Sequence, residues 1–376
     1  MSTDGRERAW VEVDSGALCA NYREIEARLP AGCQVMPMVK ADGYGLGAEW
    51  VMRTLGPLGP WGFGVATAAE GASLRSAGWA GRVLVFAPTL PTEMAALLSE
   101  RLEPALPDMS AVELLVAAGQ KRRVAPTVHV EVDTGMGRSG FGWEDADTWV
   151  ADLARNVSEG RLILASTFTH FHSAETDEQA TRRQWGRFEQ VVEVMREAGV
   201  SPGFLHAANS AASILYPSLA ANVVRPGYFL YGGMAKGVEA PRPVMSVRAR
   251  VASVRDVRAG QTVSYGATYT APEDARLATV AIGYGDGLPW RTSEGSGALV
   301  AGRMAPIRGA VCMDSIVLDV TGIPGVQSGD EVTLLGTDGQ SSIGLEALAE
   351  ASGTIGYEIL TGWTARLPRV EVGDAP

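Results

Sequence analysis

The sequence predicts an α/β protein: a (β/α)8 barrel over residues 1–240, then a mainly β domain over residues 241–376. Two observations predict it. Short apolar strands alternate with Ala-, Leu- and Glu-rich helical stretches across the first part of the chain, the pattern of a parallel sheet wrapped by helices. The alternation then stops. Pro241 and Pro243 interrupt it, and runs of strand formers separated by Gly-containing turns follow. An open doubly wound sheet gives a similar alternation, so periodicity alone leaves closure of the sheet undecided.

Asp14 and Ser15 can cap a first helix, in which Leu18, Tyr22, Ile25 and Leu29 recur at helical spacing. The strand-like run 34–39 ends at Lys40 and a glycine-rich turn. Further apolar strands are expected around 61–65, 83–87, 127–132, 162–169, 204–207 and 223–225. The clearest helix is 183–198, with Phe188, Val191, Val192 and Met195 on one side. In the second part, strands are expected within 244–257, 262–265, 277–282, 298–320 and 331–335, and one clear helix at 344–351. The N-terminal strand is free to join this second domain.

Composition excludes several classes. With 46% hydrophobic and 20% charged residues over 376 positions, the chain can bury a large core without staples. A formal net charge of −11 disfavours nucleic acid and anionic membranes. Cys19, Cys33 and Cys312 match no disulfide framework or metal motif, and no metal is expected. No apolar run is long enough to span a bilayer and the first residues do not resemble a signal peptide, so the cytoplasm is the expected location.

Chemistry concentrates in four segments. MVKADGYGLG (38–47) delivers Lys40 at the end of an apolar strand, where a partly desolvated amine can form a Schiff base. VRPGYFLYGG (224–233) does the same for Arg225, with Gly227 permitting close backbone approach to a phosphate. HVEVDTGMGRSG (129–140) ends a strand and presents Arg138 on a glycine loop. TVSYGATYT (262–270) places Tyr265 in the β domain. Taken singly each reads as ordinary structure: solvated loop cations, a Pro-Gly turn, a strand aromatic.

Together, in this order, the four segments resemble the alanine racemase family. HAANSAA (206–212), IGYGDGLPW (282–290), AVCMDSIVLDV (310–320) and GTIGYEIL (353–360) extend the likeness from about Val11 to Val370. The resemblance implies a pyridoxal 5'-phosphate enzyme, a homodimer whose active sites combine one barrel with the partner's β domain, acting on a small amino acid. It implies that Lys40 anchors the cofactor and serves as one proton-transfer base, with Tyr265 of the partner subunit as the other, on the opposite face. His170 resembles the histidine that hydrogen-bonds this tyrosine. Arg225 resembles the arginine facing the pyridine nitrogen. Tyr44, Ser210, the amides of Gly227 and Tyr228, and Tyr357 resemble the phosphate ligands. Arg138 and Met313 resemble groups near the substrate carboxylate, and Tyr284 an entrance tyrosine.

Some positions depart from the family pattern. Glu131 stands where many relatives carry a carbamylated lysine, and is expected to supply a permanent negative charge that orients Arg138. Leu46 replaces a histidine, His172 a small residue, Leu288 and Trp290 a tyrosine and an arginine, and Gly356 an asparagine. These loosen the assignment to alanine toward serine or a broader set of amino acids. A pyridoxal-phosphate decarboxylase on a related scaffold would carry a glutamate, not Arg225, opposite the ring nitrogen. A single-domain cofactor carrier would lack the β domain and Tyr265.

Overall fold

A computed structural model describes residues 5–234, 239–292 and 296–373. The chain opens with β1 (Ala9–Asp14) and the helix Ser15–Arg28, which Asp14 caps by accepting from the Ala17 amide at 2.8 Å. Leu18, Tyr22 and Ile25 are buried on its inner face, each contributing roughly 1.5–3 kcal/mol of burial. Eight short strands follow: β2 (Gln34–Val35), β3 (Phe63–Val65), β4 (Val83–Val85), β5 (Glu103–Leu106), β6 (Thr127–Asp133), β7 (Ile163–Phe168), β8 (Phe204–His206) and β9 (Val223–Val224).

These strands close into a ring. β3 through β8 pair in parallel in chain order, and β9 pairs in parallel with β2. The two remaining seams are made by backbone bonds. Trp61 N–H donates to the Val35 carbonyl and Gly64 N–H to the Pro37 carbonyl, each at 2.9 Å. Asn222 N–H donates to the Leu205 carbonyl at 2.9 Å and Arg225 N–H to the Ala208 carbonyl at 2.8 Å. The result is the expected (β/α)8 barrel, closed rather than open. Met36, Leu84, Ala105, Phe168 and Val223 fill part of its interior. Helices cover the outside; in Glu178–Glu197, Phe188, Val191, Val192 and Met195 face the barrel. In such a barrel the C-terminal strand ends face the site.

The second part of the chain forms a mainly antiparallel nine-stranded sheet. Its spine is β10 (Met245–Val257), which pairs with β11 (Ala275–Val280) and with the strand Glu331–Asp338. β1 lies in this sheet, antiparallel to β10 and parallel to the last strand, Arg369–Val372. The two ends of the chain are thereby stitched together beside the barrel.

Three expectations need correction. Glu103–Leu106 is a barrel strand although its sequence EPAL has weak strand propensity and an internal proline; Ala105 and Leu106 are buried, and the barrel geometry overrides propensity. Gly356–Gly362 is a second helix, concealed by its terminal glycines and its Ile and Thr. Tyr265 does not end a strand. The strand stops at Val263, and Tyr265–Ala267 is a tight turn entered through Ser264 at φ 65°.

Candidate active site

The strand leading to Lys40 does not run into an ordinary turn. Ala41, Asp42 and Gly43 take φ/ψ near 52/49, 52/52 and 64/41, and Tyr44 (φ 56°) and Gly45 (φ 84°) continue with positive φ. This is one turn of left-handed helix, which costs L-residues about 1–2 kcal/mol each. Such strain persists only where neighbours over-determine it. The Ala41 amide donates to Glu70 Oε1, the Gly43 amide to the Val39 carbonyl and the Ala48 amide to Asp42 Oδ1, each at 2.8 Å. The turn sets Lys40 at the barrel mouth and folds Tyr44 inward. Partial desolvation, then the Arg138 and Arg225 cations, lower the Lys40 ammonium pKa against the pull of Glu70.

Arg225 follows β9 and is buried. Its guanidinium donates to the Thr169 carbonyl at 2.7 Å, to the Ala207 carbonyl at 3.2 Å, to His206 Nδ1 at 2.6 Å and to His170 Nδ1 at 3.2 Å. Burial draws it down to about 9, which leaves it protonated at neutral pH. His170 is drawn down to about 3 by burial and by the Arg225, Arg138 and Lys40 cations, so it is neutral. Because Arg225 can only donate, His170 accepts on Nδ1 and carries its proton on Nε2. Gln184 fixes the strand end, donating to the His170 carbonyl and accepting from the His172 amide, both at 3.0 Å.

The opposite wall carries hydroxyls. Ser210 accepts from the Gly227 amide at 2.9 Å and the Phe229 amide at 3.3 Å. Tyr44 stacks on Tyr231 at 4.7 Å, and Tyr228 stacks on Tyr357 at 3.9 Å and 9°. A Cβ on Gly227 would collide with the Tyr44 hydroxyl. Gly356 has a similar cause: any side chain there would strike the Tyr228 hydroxyl, which bonds Glu346 at 3.2 Å. Burial holds the Tyr44, Tyr228 and Tyr357 hydroxyls in their protonated form. Lys40, Tyr44, Arg138, His170, Ser210, Arg225, Gly227, Tyr228 and Tyr357 all line one cavity of about 140 Å³.

Glu131, near the end of β6, is buried, with Arg138 at 3.8 Å. Burial raises its carboxyl, opposed by the Arg138 and Arg225 cations, with a net upward shift. Gly140 lies so close that a Cβ would meet the Glu131 backbone and side chain, which holds the glycine loop against the acid.

Tyr265, Tyr284 and Met313 are not in that cavity. They lie in the second domain, 75%, 41% and 52% exposed. Backbone bonds tie them into one surface. The Tyr284 amide donates to the Cys312 carbonyl at 3.0 Å and the Gly285 amide to the Met313 carbonyl at 2.8 Å. The Ser264 hydroxyl donates to the Ala310 carbonyl at 2.6 Å, which pins the strained turn before Tyr265. Sequence reasoning missed Asp286 beneath this surface. It is fully buried, takes both guanidinium nitrogens of Arg8 at 2.5 and 3.0 Å and accepts from the Gly283 amide at 3.0 Å. Burial would raise this carboxyl, but Arg8, the amide and Arg366 outweigh it and the net shift is downward. An aspartate between two glycines in IGYGDGLPW was the available signal. Leu288 is buried, whereas Trp290 and His172 are exposed.

Among the described residues, no group of three or more His, Cys, Asp or Glu is placed to hold a metal, and no helix is long and apolar enough to cross a membrane. A family model described as "Alanine racemase, N-terminal domain" matches residues 13–235, and "Alanine racemase, C-terminal domain" matches residues 244–371. The chain is 39% identical to a protein named alanine racemase from Geobacter sp. (strain M21), over 96% of this chain and 98% of that one. Its fold is similar to the alanine racemase of D-cycloserine-producing Streptomyces lavendulae, with TM-score 0.92 at 31% identity, covering 98% of this chain and 97% of the other. It is also similar to alanine racemase from Streptomyces coelicolor A3(2), with TM-score 0.91 at 33% identity, covering 98% and 99%.

Proposed function

Because the chain belongs to the alanine racemase family and is an amino-acid isomerase, we propose that it interconverts L- and D-alanine using pyridoxal 5'-phosphate at the barrel mouth, with Lys40 and the partner subunit's Tyr265 as the two bases. One observation carries the reading: a lysine of lowered pKa, a buried guanidinium and four hydroxyl side chains line a single cavity. The donor set suits the cofactor. Tyr44, Ser210 and Tyr357, with the amides of Gly227 and Tyr228, would hold its phosphate, and the bare Cα of Gly227 leaves the approach to Tyr44 open. Lys40 would be its covalent anchor. When bound, the cofactor supplies a conjugated ring that acidifies the substrate α-proton.

The protein's own groups then have distinct tasks. Lys40, freed more readily than an ordinary lysine, takes or gives a proton on one face. Tyr265 does so on the other, and the Nε2–H of neutral His170 is the donor suited to its phenolate. Arg225 cannot accept a proton, so it leaves the ring nitrogen unprotonated and the electron sink weak, which favours returning the proton over side reactions. Arg138, steadied by Glu131, and the backbone of Met313 from the partner subunit bind the substrate carboxylate, with Tyr284 lining the entrance. The exposed Tyr265 surface supports a homodimer with shared sites. We further propose a cytoplasmic enzyme that supplies D-alanine for cell-wall peptidoglycan.

The exposed Trp290 and His172, where the family differs, favour testing serine and larger amino acids alongside alanine. A panel of single enantiomers in deuterated buffer, read by chiral chromatography and mass, is the test. Inversion of alanine with one α-deuterium is expected. Absence of inversion for every amino acid rejects the reading, and faster inversion of another substrate reassigns it.

A further inference from the structure

The site's buried guanidinium is the top of a file of side chains that crosses the barrel interior. Arg225 donates to His206 Nδ1 at 2.6 Å. His206 Nε2 meets the Ser166 hydroxyl at 2.8 Å, and that hydroxyl meets His129 Nδ1 at 2.5 Å. His129 Nε2 meets Glu103 Oε2 at 2.9 Å, and Glu103 pairs with Arg82 at 3.2 Å. The three central residues are fully buried, while Glu103 opens β5 at the opposite mouth of the barrel. The rings are held in place: Phe168 stacks on His206 at 4.9 Å, and Trp61 approaches His129 and His206 at 6.1 Å each.

The two ends fix the direction of every bond between them. An arginine can only donate and an ionised carboxylate can only accept. His206 must therefore accept on Nδ1 and donate from Nε2. Ser166 accepts that proton and donates its own to His129 Nδ1, and His129 donates from Nε2 to Glu103. Reversing any one bond would set two donors or two acceptors face to face. Burial keeps both imidazoles neutral, as this pattern requires. Each donor then polarises the next acceptor in the same sense.

We propose that Glu103, at the far mouth of the barrel, is a positioning residue: through His129, Ser166 and His206 it sets the polarity of the file on which the Arg225 guanidinium rests. The catalytic consequence rests on the role proposed for Arg225 above; the file's polarity does not. The phosphate wall and Lys40 take no part in it.

The chain has four histidines, so long-range 1H–15N spectra can separate each imidazole. In the wild-type protein, His129 and His206 should both show a protonated Nε2 and a bare Nδ1, unchanged from pH 6 to 8. In E103L, His129 should become a mixture of tautomers, and racemisation kcat should fall about three- to tenfold, the scale of one hydrogen bond, with KM nearly constant. S166A should cause a similar kcat loss. In E103Q, whose amide oxygen can still accept from His129 Nε2–H, the tautomers and kcat should stay close to wild type. A protonated Nδ1 or a doubly protonated ring at either histidine in the wild-type protein overturns the proposal, as does an E103L protein with unchanged tautomers and kcat. The tautomers can be read whether or not alanine proves to be the substrate, so a failure here is distinguishable from a failure of the functional reading.

Discussion

The barrel mouth and the Tyr265 surface handle their polar and aromatic groups in opposite ways. At the mouth, Arg225 is buried and meets four partners at 2.6–3.2 Å, and the tyrosines stack in pairs. On the second domain, Tyr265 is 75% exposed at the tip of a turn whose backbone is rigidly held. The mouth is finished within the chain. The Tyr265 surface has a preorganised backbone under exposed aromatic side chains, the form of a surface completed by association.

The largest expected effects come from deleting the base proposed for each region. K40A and Y265F should each lower racemisation by about 10²–10⁴-fold, the usual worth of a positioned acid–base group. They should differ in kind. Y265F should retain α-deuterium exchange of one enantiomer without inversion, whereas K40A should lose cofactor anchoring as well. Equal exchange of both enantiomers in Y265F would break the assignment of one base to each region.

Next, R225E tests whether the buried mouth tunes selectivity. A group able to accept a proton should raise transamination relative to racemisation by about tenfold or more. Keto-acid formation measured against inversion checks this, and an unchanged ratio counts against it. E131Q is expected to cost less, about three- to tenfold in kcat/KM, because the Arg138–Glu131 pair is 3.8 Å apart with Arg138 half exposed. Wild-type kinetics would leave Glu131 as a packing residue.

The smallest effect on chemistry belongs to Asp286. D286N should destabilise the protein by about 1–3 kcal/mol, since it leaves Arg8 without its buried partner while Arg8 itself keeps some solvent. The folded-state pKa of Asp286 is below its ordinary value near 3.9. Its contribution is therefore full above that value and is lost as pH falls through the lower folded pKa. Urea titrations at pH 7 and pH 3 should show a larger wild-type minus D286N difference at pH 7; an equal difference at both would remove the ion pair as the cause.

Much of this was legible in residues. Strand–helix alternation pointed to a parallel sheet wrapped by helices, though not to its closure, because buried parallel strands must be apolar and their crossovers helical. Where local propensity and global closure disagree, it was not: the EPAL strand at Glu103–Leu106 is held by neighbours that no window of sequence contains. Tyr44 came only from the family resemblance, whereas Lys40 and Arg225 could be nominated as strand-end residues. The left-handed turn at residues 41–45 could not, since Ala and Asp carry no strong signal for positive φ. The file from Arg225 to Glu103 was equally silent, because His129, Ser166 and His206 sit on three different strands and meet only through their register.

Mixing K40A and Y265F subunits tests the central comparison most directly. If each site takes Lys40 from one chain and Tyr265 from its partner, a heterodimer holds one intact site and one doubly altered site. Unfolding and refolding an equal mixture should then restore about a quarter of wild-type racemase activity, since roughly half the dimers are mixed. If the mixture shows mixed dimers by mass yet no activity beyond the parent variants, both bases reside in one chain and the account is wrong.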